Sequence, residues 1–277
     1  MPGVNVSGIC RKVGMSRQNY YARRVRRKRR QVDAELVIGL VRQERGMQPR
    51  LGVRKLQHVL RGAMTEAGVE LGRDGLFTLL REANLLVGPL PRDWVRTTCS
   101  GHAFPVHPNR IKELKVSRPE VVWVADLTYV RTEEDFLFLA LVTDKGSRKI
   151  VGYHCGETLE ASGCVAALRM ALATLSEGVQ PIHHSDRGTQ YCSHAYVKIL
   201  EEHGLPISMT EKNHCAENAL AERMNGILKA EYGLGGTMRS KAHGHAAIQQ
   251  AIFLYNERRP HTALGLRTPS VAHSLAE

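Results

Sequence analysis

The order of strand-like and helix-like segments in the second half of the chain restricts the fold more than any other feature. Three segments rich in β-branched and aromatic residues, VVWVADLTYV, FLFLALVTD and KIVGYHCGE, are separated only by short polar turns, which predicts an antiparallel meander. Helix-like segments then alternate with two short strands, PIHHSD and PISMT. The order β-β-β-α-β-α-β-α predicts an α/β domain of three layers with a mixed sheet.

The residues before this domain have the periodicity of helices rather than strands. A Gly-Met-Ser break separates two helical segments in a helix-turn-helix-like pattern, with Gly14 in the turn and Ser16 as the cap of the second helix. Three further helices are predicted at residues 33–44, 52–60 and 73–86. Such a set suits a small DNA-binding bundle, although any three-helix domain has the same pattern.

These patterns divide the chain into five predicted regions. They are a basic helical arm at residues 1–32, a helical DNA-binding domain at 33–87, a linker at 88–119, the α/β domain at 120–235 and a C-terminal helical extension at 236–277. The linker is assigned because it contains several prolines and little periodicity.

Basic residues are concentrated at the N-terminus. The whole chain has a net charge of +12, and residues 1–32 contain ten Lys and Arg residues with no Asp or Glu. The remaining chain is nearly balanced, with 29 basic and 27 acidic residues. The densest run, RVRRKRR from Arg24 to Arg30, has the charge pattern of a segment that binds a polyanion such as DNA. A solvated tail is the alternative interpretation.

Composition argues against several other classes of protein. Residues 1–31 have no apolar core of a signal peptide, and the longest apolar run, FLFLALV, is too short to cross a bilayer. We therefore expect a soluble, cytoplasmic protein with no membrane partner. The six cysteines show no Cys-x-x-Cys spacing, and the pair His183-His184 lacks zinc-ligand spacing around it. Neither a disulfide framework nor a zinc site is predicted.

Two aspartates occupy positions in the predicted strands where a carboxylate needs a partner. Asp126 lies inside an apolar strand, where a carboxylate is costly unless it is paired or binds a cation. Asp186 ends the fourth predicted strand, and open α/β sheets form their sites where strands end. A turn-initiating aspartate is the alternative for Asp186, because a glycine turn follows.

The helix-like segment CAENALAERMNGILKAEY carries three glutamates, and helical phase separates them. Glu222 shares a polar stripe with Lys229, on a different side from the apolar stripe that ends with Glu231. Glu217 is five residues from Glu222, about 140° around the helix, so the two cannot face the same target. Glu217 and Glu231 are therefore interpreted as structural residues, and Glu222 is the candidate for chemistry.

As a set, Asp126, Asp186 and Glu222 resemble the Asp-Asp-Glu triad of the integrase-core transposases. The 35 residues between Asp186 and Glu222 match the spacing typical of retroviral-type integrases and of the insertion-sequence-three transposase family. The blocks HSDRGTQY, NALAERMNGILKAEY and YNERRPHTALGLRTP are similar to signature blocks of that family, and Lys229 matches its basic position. The similarity extends over about residues 33–275 and is closest to the second-frame, OrfB-type product.

This resemblance implies a ribonuclease H-like integrase catalytic core at residues 120–235, with a mixed five-stranded sheet whose first and fourth strands are neighbours. It implies a DNA transposase, a polynucleotidyl transferase whose triad binds two Mg²⁺ ions, for which Mn²⁺ can substitute. Asp126 is expected to bridge both ions, with Asp186 and Glu222 completing one each. Because close carboxylates repel, we expect the site to be poorly formed until metal binds.

The resemblance also implies the partners and the cellular location of the chain. The DNA partners are the terminal inverted repeats of the element and the target DNA, in the cytoplasm of a bacterium. A homo-oligomer on DNA is expected because two ends must meet, and a first-frame product is a candidate partner or fusion partner. The candidate phosphate contacts are Lys229, Arg187, Arg223 and Lys212 near the triad, and Arg24, Arg26, Arg27, Lys28, Arg29 and Arg30 in the arm.

Two other functions fit parts of the same pattern. A catalytically silent DNA-binding regulator of transposition would share the arm and the helical region, but all three acidic residues are present. A ribonuclease H-like nuclease acting on RNA–DNA hybrids would share the fold, but the basic arm favours duplex DNA. A hydrolase dyad of His184 and Ser185 is excluded, because adjacent strand residues point to opposite faces of a sheet.

Overall fold

The computed structural model describes residues 14–88, 104–211 and 218–275, together with Val6, Ser7 and Cys10. The chain divides into two compact units. The first consists of Met1–Met47 and Gly52–Val87, and the second of Gln48–Leu51 and Gly88–Glu277. Among the described residues, no helix has both the length and the apolar character needed to cross a membrane.

The first unit begins with a long helix that the sequence did not predict. Helix α1 (Arg17–Met47) runs without a break through residues 33–44, so the separate helix predicted there is wrong. The segment from Arg17 to Ile38 contains neither glycine nor proline, and nothing therefore interrupts the helix. Ser16 caps it as predicted, because its Oγ accepts a hydrogen bond from the backbone N–H of Asn19 at 3.1 Å. The helix predicted before Gly14 lies largely outside the described residues.

Two shorter helices complete the described part of this unit. They are α2 (Val53–Glu66) and α3 (Arg73–Glu82). Helix α3 ends earlier than predicted because Asn84 adopts a left-handed conformation, with φ 54°, which terminates helices. The apolar side chains that these three helices bury are Val37 and Val41 of α1, Leu56, Leu60 and Met64 of α2, and Leu76 and Leu80 of α3. Each such apolar side chain contributes about 1.5–3 kcal/mol by leaving water.

The second unit contains the predicted α/β domain. Its strands are β1 (Val122–Thr132), β2 (Phe136–Asp144), β3 (Ile150–Gly156), β4 (Ile182–Ser185), β5 (Ile207–Met209) and β6 (Thr237–Met238). Its helices are α4 (Ala161–Leu172), α5 (Thr189–Cys192), α6 (His194–Glu202), α7 (Ala219–Glu231), α8 (Lys241–Glu257) and α9 (Pro269–Ser274), with a 3₁₀ helix at Thr262–Leu264.

The strands form one mixed sheet in the order β3-β2-β1-β4-β5. The pairs β1–β2 and β2–β3 are antiparallel, which confirms the predicted meander, and β1–β4 and β4–β5 are parallel. The predicted mixed five-stranded sheet of the ribonuclease H-like core is thus confirmed, with β1 beside β4. Strand β6 adds a short parallel pairing to Arg131 and Thr132 of β1. Two residues are too few to give a strand pattern in the sequence.

Helices cover both faces of this sheet, which gives the three predicted layers. On one face, apolar residues of β1 and β2 pack with α4 and α6 in a single buried cluster. On the other face, β1, β2 and β3 pack with α7 and α8. Helix α4 approaches β3 at the backbone, because a side chain at Gly152 would lie 2.2 Å from the carbonyl oxygen of Ala167. Glycine is therefore required at that position.

The described part of the predicted linker, residues 104–119, is fastened to the edge of the sheet. The backbone N–H of Arg110 donates to Ser208 Oγ at 2.9 Å, and its guanidinium Nε donates to the carbonyl oxygen of Ile207 at 3.1 Å. Ile111 is buried in a cluster with Val122 and Val124 of β1. This segment thus supports the first strand next to Asp126.

Candidate active site

The first candidate carboxylate, Asp126, lies in the middle of the central strand. Strands β1 and β4 pair in parallel with Val124 opposite His184. The same register extended by two residues brings Asp126 level with Asp186. Because side chains alternate along a strand, Asp126 shares a face with Val124, which packs against Ala221 of α7. The fold therefore places Asp126 beneath the helix that carries Glu222.

The second candidate, Asp186, follows directly after β4 in a tight turn. Its Oδ1 accepts a hydrogen bond from the backbone N–H of Gly188 at 2.9 Å. A side chain at Gly188 would lie 3.0 Å from that same oxygen. The glycine thus allows the carboxylate to close the turn. The turn-initiating role and the proximity of Asp186 to Asp126 are both present in the structure.

The third candidate, Glu222, lies in the first turn of α7 and is exposed. Two neighbours fix this end of the helix over β1. Ala221 packs against Val122 and Val124, and the amide Nδ2 of Asn218 donates to the carbonyl oxygen of Ala125 at 3.2 Å. Strand and helix therefore present Asp126 and Glu222 toward the same region.

The pKa values of these groups show that the three carboxylates interact. Burial raises the pKa of Asp126 to about 7, and the charges of Asp186 and, less strongly, Glu222 add to this rise. Burial raises the pKa of Glu222 as well, with a further contribution from Asp186. The charge of Asp186 thus disfavours the ionised forms of both Asp126 and Glu222, as expected where carboxylates converge.

Asn225 is a site residue that sequence reasoning did not assign. Its Nδ2 donates to Asp126 Oδ2 at 2.7 Å, an orientation that stabilises the ionised form of the carboxylate. This bond opposes the rise in the pKa of Asp126. Asn225 follows Glu222 by three residues, so helical spacing placed both on one polar stripe. No sequence signal distinguished it from a solvated asparagine.

The donor set suits a hard divalent cation. Carboxylate oxygens are the ligands that Mg²⁺ and Mn²⁺ prefer in proteins, and a cation would relieve the repulsion among the three acids. Asn225 Oδ1 is buried without a hydrogen-bond partner beside Asp126, and such an acceptor suits the hydration shell of an ion. In the described part of the chain, no group of three or more His, Cys, Asp or Glu side chains is yet close enough to hold a metal.

Lys229 lies near the same carboxylates on the last turn of α7. Its Nζ is 4.0 Å from the centre of the Tyr129 ring, a cation–π contact. Burial lowers the pKa of Lys229, and the charge of Asp126 opposes that change. The Lys229 ammonium is thus placed by Tyr129 near Asp126, and its contact with DNA stays a prediction.

The other predicted DNA contacts differ in their surroundings. Arg187 is partly buried, and its Nε donates to the carbonyl oxygen of Thr210 at 2.6 Å, so it has a structural role in the turn. Arg223 is exposed on α7, whereas Lys212 lies outside the described residues. The six predicted arm contacts are all exposed on α1, namely Arg24, Arg26, Arg27, Lys28, Arg29 and Arg30.

The other two glutamates of the segment CAENALAERMNGILKAEY have different outcomes. Glu231, at the end of α7, forms an ion pair with Arg259 at 2.6 Å, which is the structural role predicted for it. Glu217 lies outside the described residues. His184 Nδ1 lies 2.8 Å from Ser208 Oγ, and Ser185 Oγ donates to the carbonyl oxygen of Asp186, so the two residues form no dyad.

Known proteins that are similar to this chain include integrase-core and transposase sequences. Models of the integrase core domain match residues 116–215 and 203–269. The chain is 35% identical over 266 residues to the insertion element IS600 uncharacterized 31 kDa protein of Shigella sonnei, which covers 95% of this chain and 96% of that protein. It is 33% identical over 222 residues to the transposase for insertion sequence element IS629 of Shigella sonnei, covering 80% and 73% respectively.

A solved structure is also similar to part of the chain. The HTLV-2 integrase catalytic core domain in complex with magnesium has a TM-score of 0.47 and 18% sequence identity, and it covers 57% of this chain and 99% of its own. The chain is also 35% identical over 170 residues to the transposase InsF for insertion sequence IS3A of Escherichia coli (strain K12), covering 61% of this chain and 59% of that protein. On these relatives and the two core-domain matches, the chain belongs to the insertion-sequence-three family of integrase-core transposases, which are DNA transposases of the polynucleotidyl transferase class.

Proposed function

We propose that this chain cleaves the ends of an insertion sequence and transfers them to a new site by divalent-metal-dependent phosphoryl transfer. The observation that supports this most directly is the convergence of Asp126, Asp186 and Glu222, because the charges of Asp186 and Glu222 raise the pKa of Asp126 and the charge of Asp186 raises that of Glu222. Asp126 is the member of the set in the central strand, and the charges of both other carboxylates act on it. The OrfB-type product is the member of the family that such a chain represents.

The three carboxylates would hold two Mg²⁺ ions, with Asp126 shared and Asp186 and Glu222 each completing one. When bound, the ions supply Lewis-acid activation of the attacking and leaving oxygens of an in-line displacement. Asn225 keeps Asp126 in place through its 2.7 Å hydrogen bond. Lys229 contacts a DNA phosphate beside the site, where its positive charge stabilises the negative charge of the reacting strand.

Two displacements are proposed at this site. In the first, the oxygen of water bonds to phosphorus, the P–O3′ bond breaks, and the element end gains a 3′-hydroxyl while the flank keeps a 5′-phosphate. In the second, that 3′-hydroxyl attacks a phosphodiester of another strand, and the displaced strand leaves with its own 3′-hydroxyl. Each step exchanges one P–O bond for another, so no external energy source is required.

The proposed partners follow from this chemistry. The chain acts on terminal inverted repeats and on target DNA within a bacterial cytoplasm. It works as a homo-oligomer because two ends must be held together. A first-frame product, joined to it or separate, is the proposed protein partner.

The test is the variant Asp186→Asn, which keeps an oxygen for the Gly188 N–H and so preserves the turn. We expect cleavage and strand transfer of end DNA to be abolished with Mg²⁺ or Mn²⁺, while binding of the same DNA is retained. Asp135→Asn, at an exposed turn, is the matched control and should remain active. Full activity of Asp186→Asn would refute the proposal.

Two results with the unmodified chain would favour the other functions. Binding of end DNA without cleavage under either metal would indicate a regulator. Faster cleavage of an RNA–DNA hybrid than of duplex DNA would indicate a nuclease of the ribonuclease H type. Removal of metal with EDTA should stop the reaction without releasing the DNA.

A further inference from the structure

The block YNERRPHTALGLRTP contains none of the three candidate carboxylates, yet its first residues contact the helix that carries one of them. The block begins at Tyr255 in the last turns of α8 and then turns back on itself. An isolated bridge between His261 and Arg267 closes that loop around the 3₁₀ helix. The side chains at its beginning reach α7 and the β2–β3 connection, and they lie in the same compact unit.

Arg259 holds the C-terminal end of α7. Its Nε and a terminal nitrogen donate to the two carboxylate oxygens of Glu231 at 2.7 and 2.6 Å. The Arg259 side chain is only 4% exposed, and its other terminal nitrogen lies 2.8 Å from His261 Nε2. Because guanidinium can only donate, His261 accepts through Nε2. Two guanidinium nitrogens thus bind Glu231 and the third binds His261, and the paired, planar geometry with Glu231 fixes orientation as well as distance.

Tyr255 holds the middle of α7. The residue is fully buried, its hydroxyl donates to the carbonyl oxygen of Arg148 at 2.8 Å, and the same hydroxyl lies 3.4 Å from Met224 Sδ. Next to it, Asn256 uses both atoms of its amide on the backbone of Ile150, at 3.0 Å each. The block thus connects α7 to the start of β3 and to the preceding turn.

We propose that Tyr255 and Arg259 are positioning residues that set the placement of α7, and through it the placement of Glu222, against the two aspartates of the sheet. This rests on the proposed function, since it assigns Glu222 a role at the metal. Met224 and Glu231, the two points where the block contacts α7, follow Glu222 along one continuous helix. A helix moves as a body, and a displacement of about 1 Å at a reacting group can cost about 10²-fold in rate.

The variants Glu231→Gln and Arg259→Lys test this in the full chain. Both keep side-chain length and are milder than truncation of a buried pair. We expect the amides of α7 to exchange with solvent about tenfold faster, and the concentration of Mn²⁺ that half-saturates the protein in calorimetry to rise by about tenfold or more. The Kd for end DNA should not change. The control is Glu157→Gln, which removes the 2.6 Å ion pair with Lys241 and should change none of these quantities.

A background substitution separates positioning from general destabilisation. If Arg259 acts through Glu222, then Arg259→Lys should have little further effect on Mn²⁺ binding in a Glu222→Gln background. Both substitutions would affect Mn²⁺ through the same side chain, so their effects should not add. Effects that simply add, or faster exchange throughout the unit with unchanged Mn²⁺ affinity, would overturn the proposal. If the unmodified chain bound no Mn²⁺, the proposed function would fail. Whatever the result for Mn²⁺, the positioning role would be overturned if the amides of α7 exchanged with solvent at the same rate in both variants as in the unmodified chain.

Discussion

Asp126 is partly buried in the fold, although the proposed chemistry requires its charged form. It occupies a central strand, where burial disfavours its charge and raises its pKa to about 7. The Asn225 amide and the backbone N–H of Leu127 oppose that rise. In an unfolded chain an aspartate has a pKa of about 3.9. The folded protein without metal therefore retains a proton that the unfolded chain would release.

This difference predicts a pH dependence of stability in the absence of metal. Because the folded-state pKa is raised, the protonated Asp126 contributes stability below about pH 4, and this contribution is lost as pH rises toward about 7. Asp126→Asn removes the charge and should be more stable than the unmodified chain at pH 8, by on the order of 4 kcal/mol. Thermal unfolding in EDTA at pH 5 and pH 8 measures the effect.

The control for this comparison is Asp135→Asn, an exposed aspartate whose substitution should leave the pH profile unchanged. Mg²⁺ should restore stability to the unmodified chain at pH 8 and have little effect on Asp126→Asn. Parallel unfolding profiles for the unmodified chain and Asp126→Asn across this range would contradict the prediction.

The charged side chains of helix α7 interact with different parts of the second unit. Glu222 interacts with the aspartates, Lys229 with Tyr129, and Arg223 with the turn between β2 and β3. Burial lowers the pKa of Arg148 in that turn, and the charge of Arg223 lowers it further. Burial also lowers the pKa of Lys145, as does the charge of Arg148. Within the described residues these three cations form no ion pair, so they present a concentrated positive charge beside the candidate site.

We therefore predict that Arg223→Gln and Lys145→Gln each weaken binding of duplex DNA. Each lost phosphate contact should reduce the slope of log K against log salt concentration by about 0.9. Strand transfer at saturating DNA should be nearly unchanged, because neither residue touches the triad. Fluorescence anisotropy at several salt concentrations gives the slopes.

Arg169→Gln is the matched control, since it removes one exposed positive charge from α4 on the opposite face of the sheet. Its slope should equal that of the unmodified chain. A slope for Arg223→Gln that is indistinguishable from the slope for Arg169→Gln would contradict a DNA contact at Arg223.

Elements with strong patterns were predictable, and residues whose role depends on distant partners were not. The β-β-β-α-β-α-β-α order follows from periodicity, and the phase of α7 separated Glu222 from Glu231. The bond of Asn225 to Asp126 spans 99 residues, and no local pattern encodes such a contact. Arg187 is a second example, because no local pattern indicates that its Nε donates to the backbone carbonyl of Thr210, and its contact with DNA stays a prediction.

At the scale of the whole molecule, the basic run and the candidate active site lie in different compact units. The basic run from Arg24 to Arg30 is on α1 in the first unit, and the candidate triad is in the second. The sequence predicted this separation from the charge balance, although it placed a helix boundary where α1 is continuous. A helix preserves the exposed charges along one rigid rod, whereas a flexible tail would spread them over many arrangements.

Replacement of the arm cations Arg24, Arg26, Arg27, Lys28, Arg29 and Arg30 by glutamine should therefore weaken DNA binding without disabling the chemistry. Glutamine is a good helix former, so α1 should persist, as circular dichroism can verify. Up to six lost phosphate contacts would lower the salt slope by as much as about 5. Strand transfer should show a higher KM for DNA at nearly unchanged kcat, because the triad is intact. Lysine at the same positions keeps the charge and should keep the slope; an unchanged slope in the glutamine variant would show that the arm does not bind DNA.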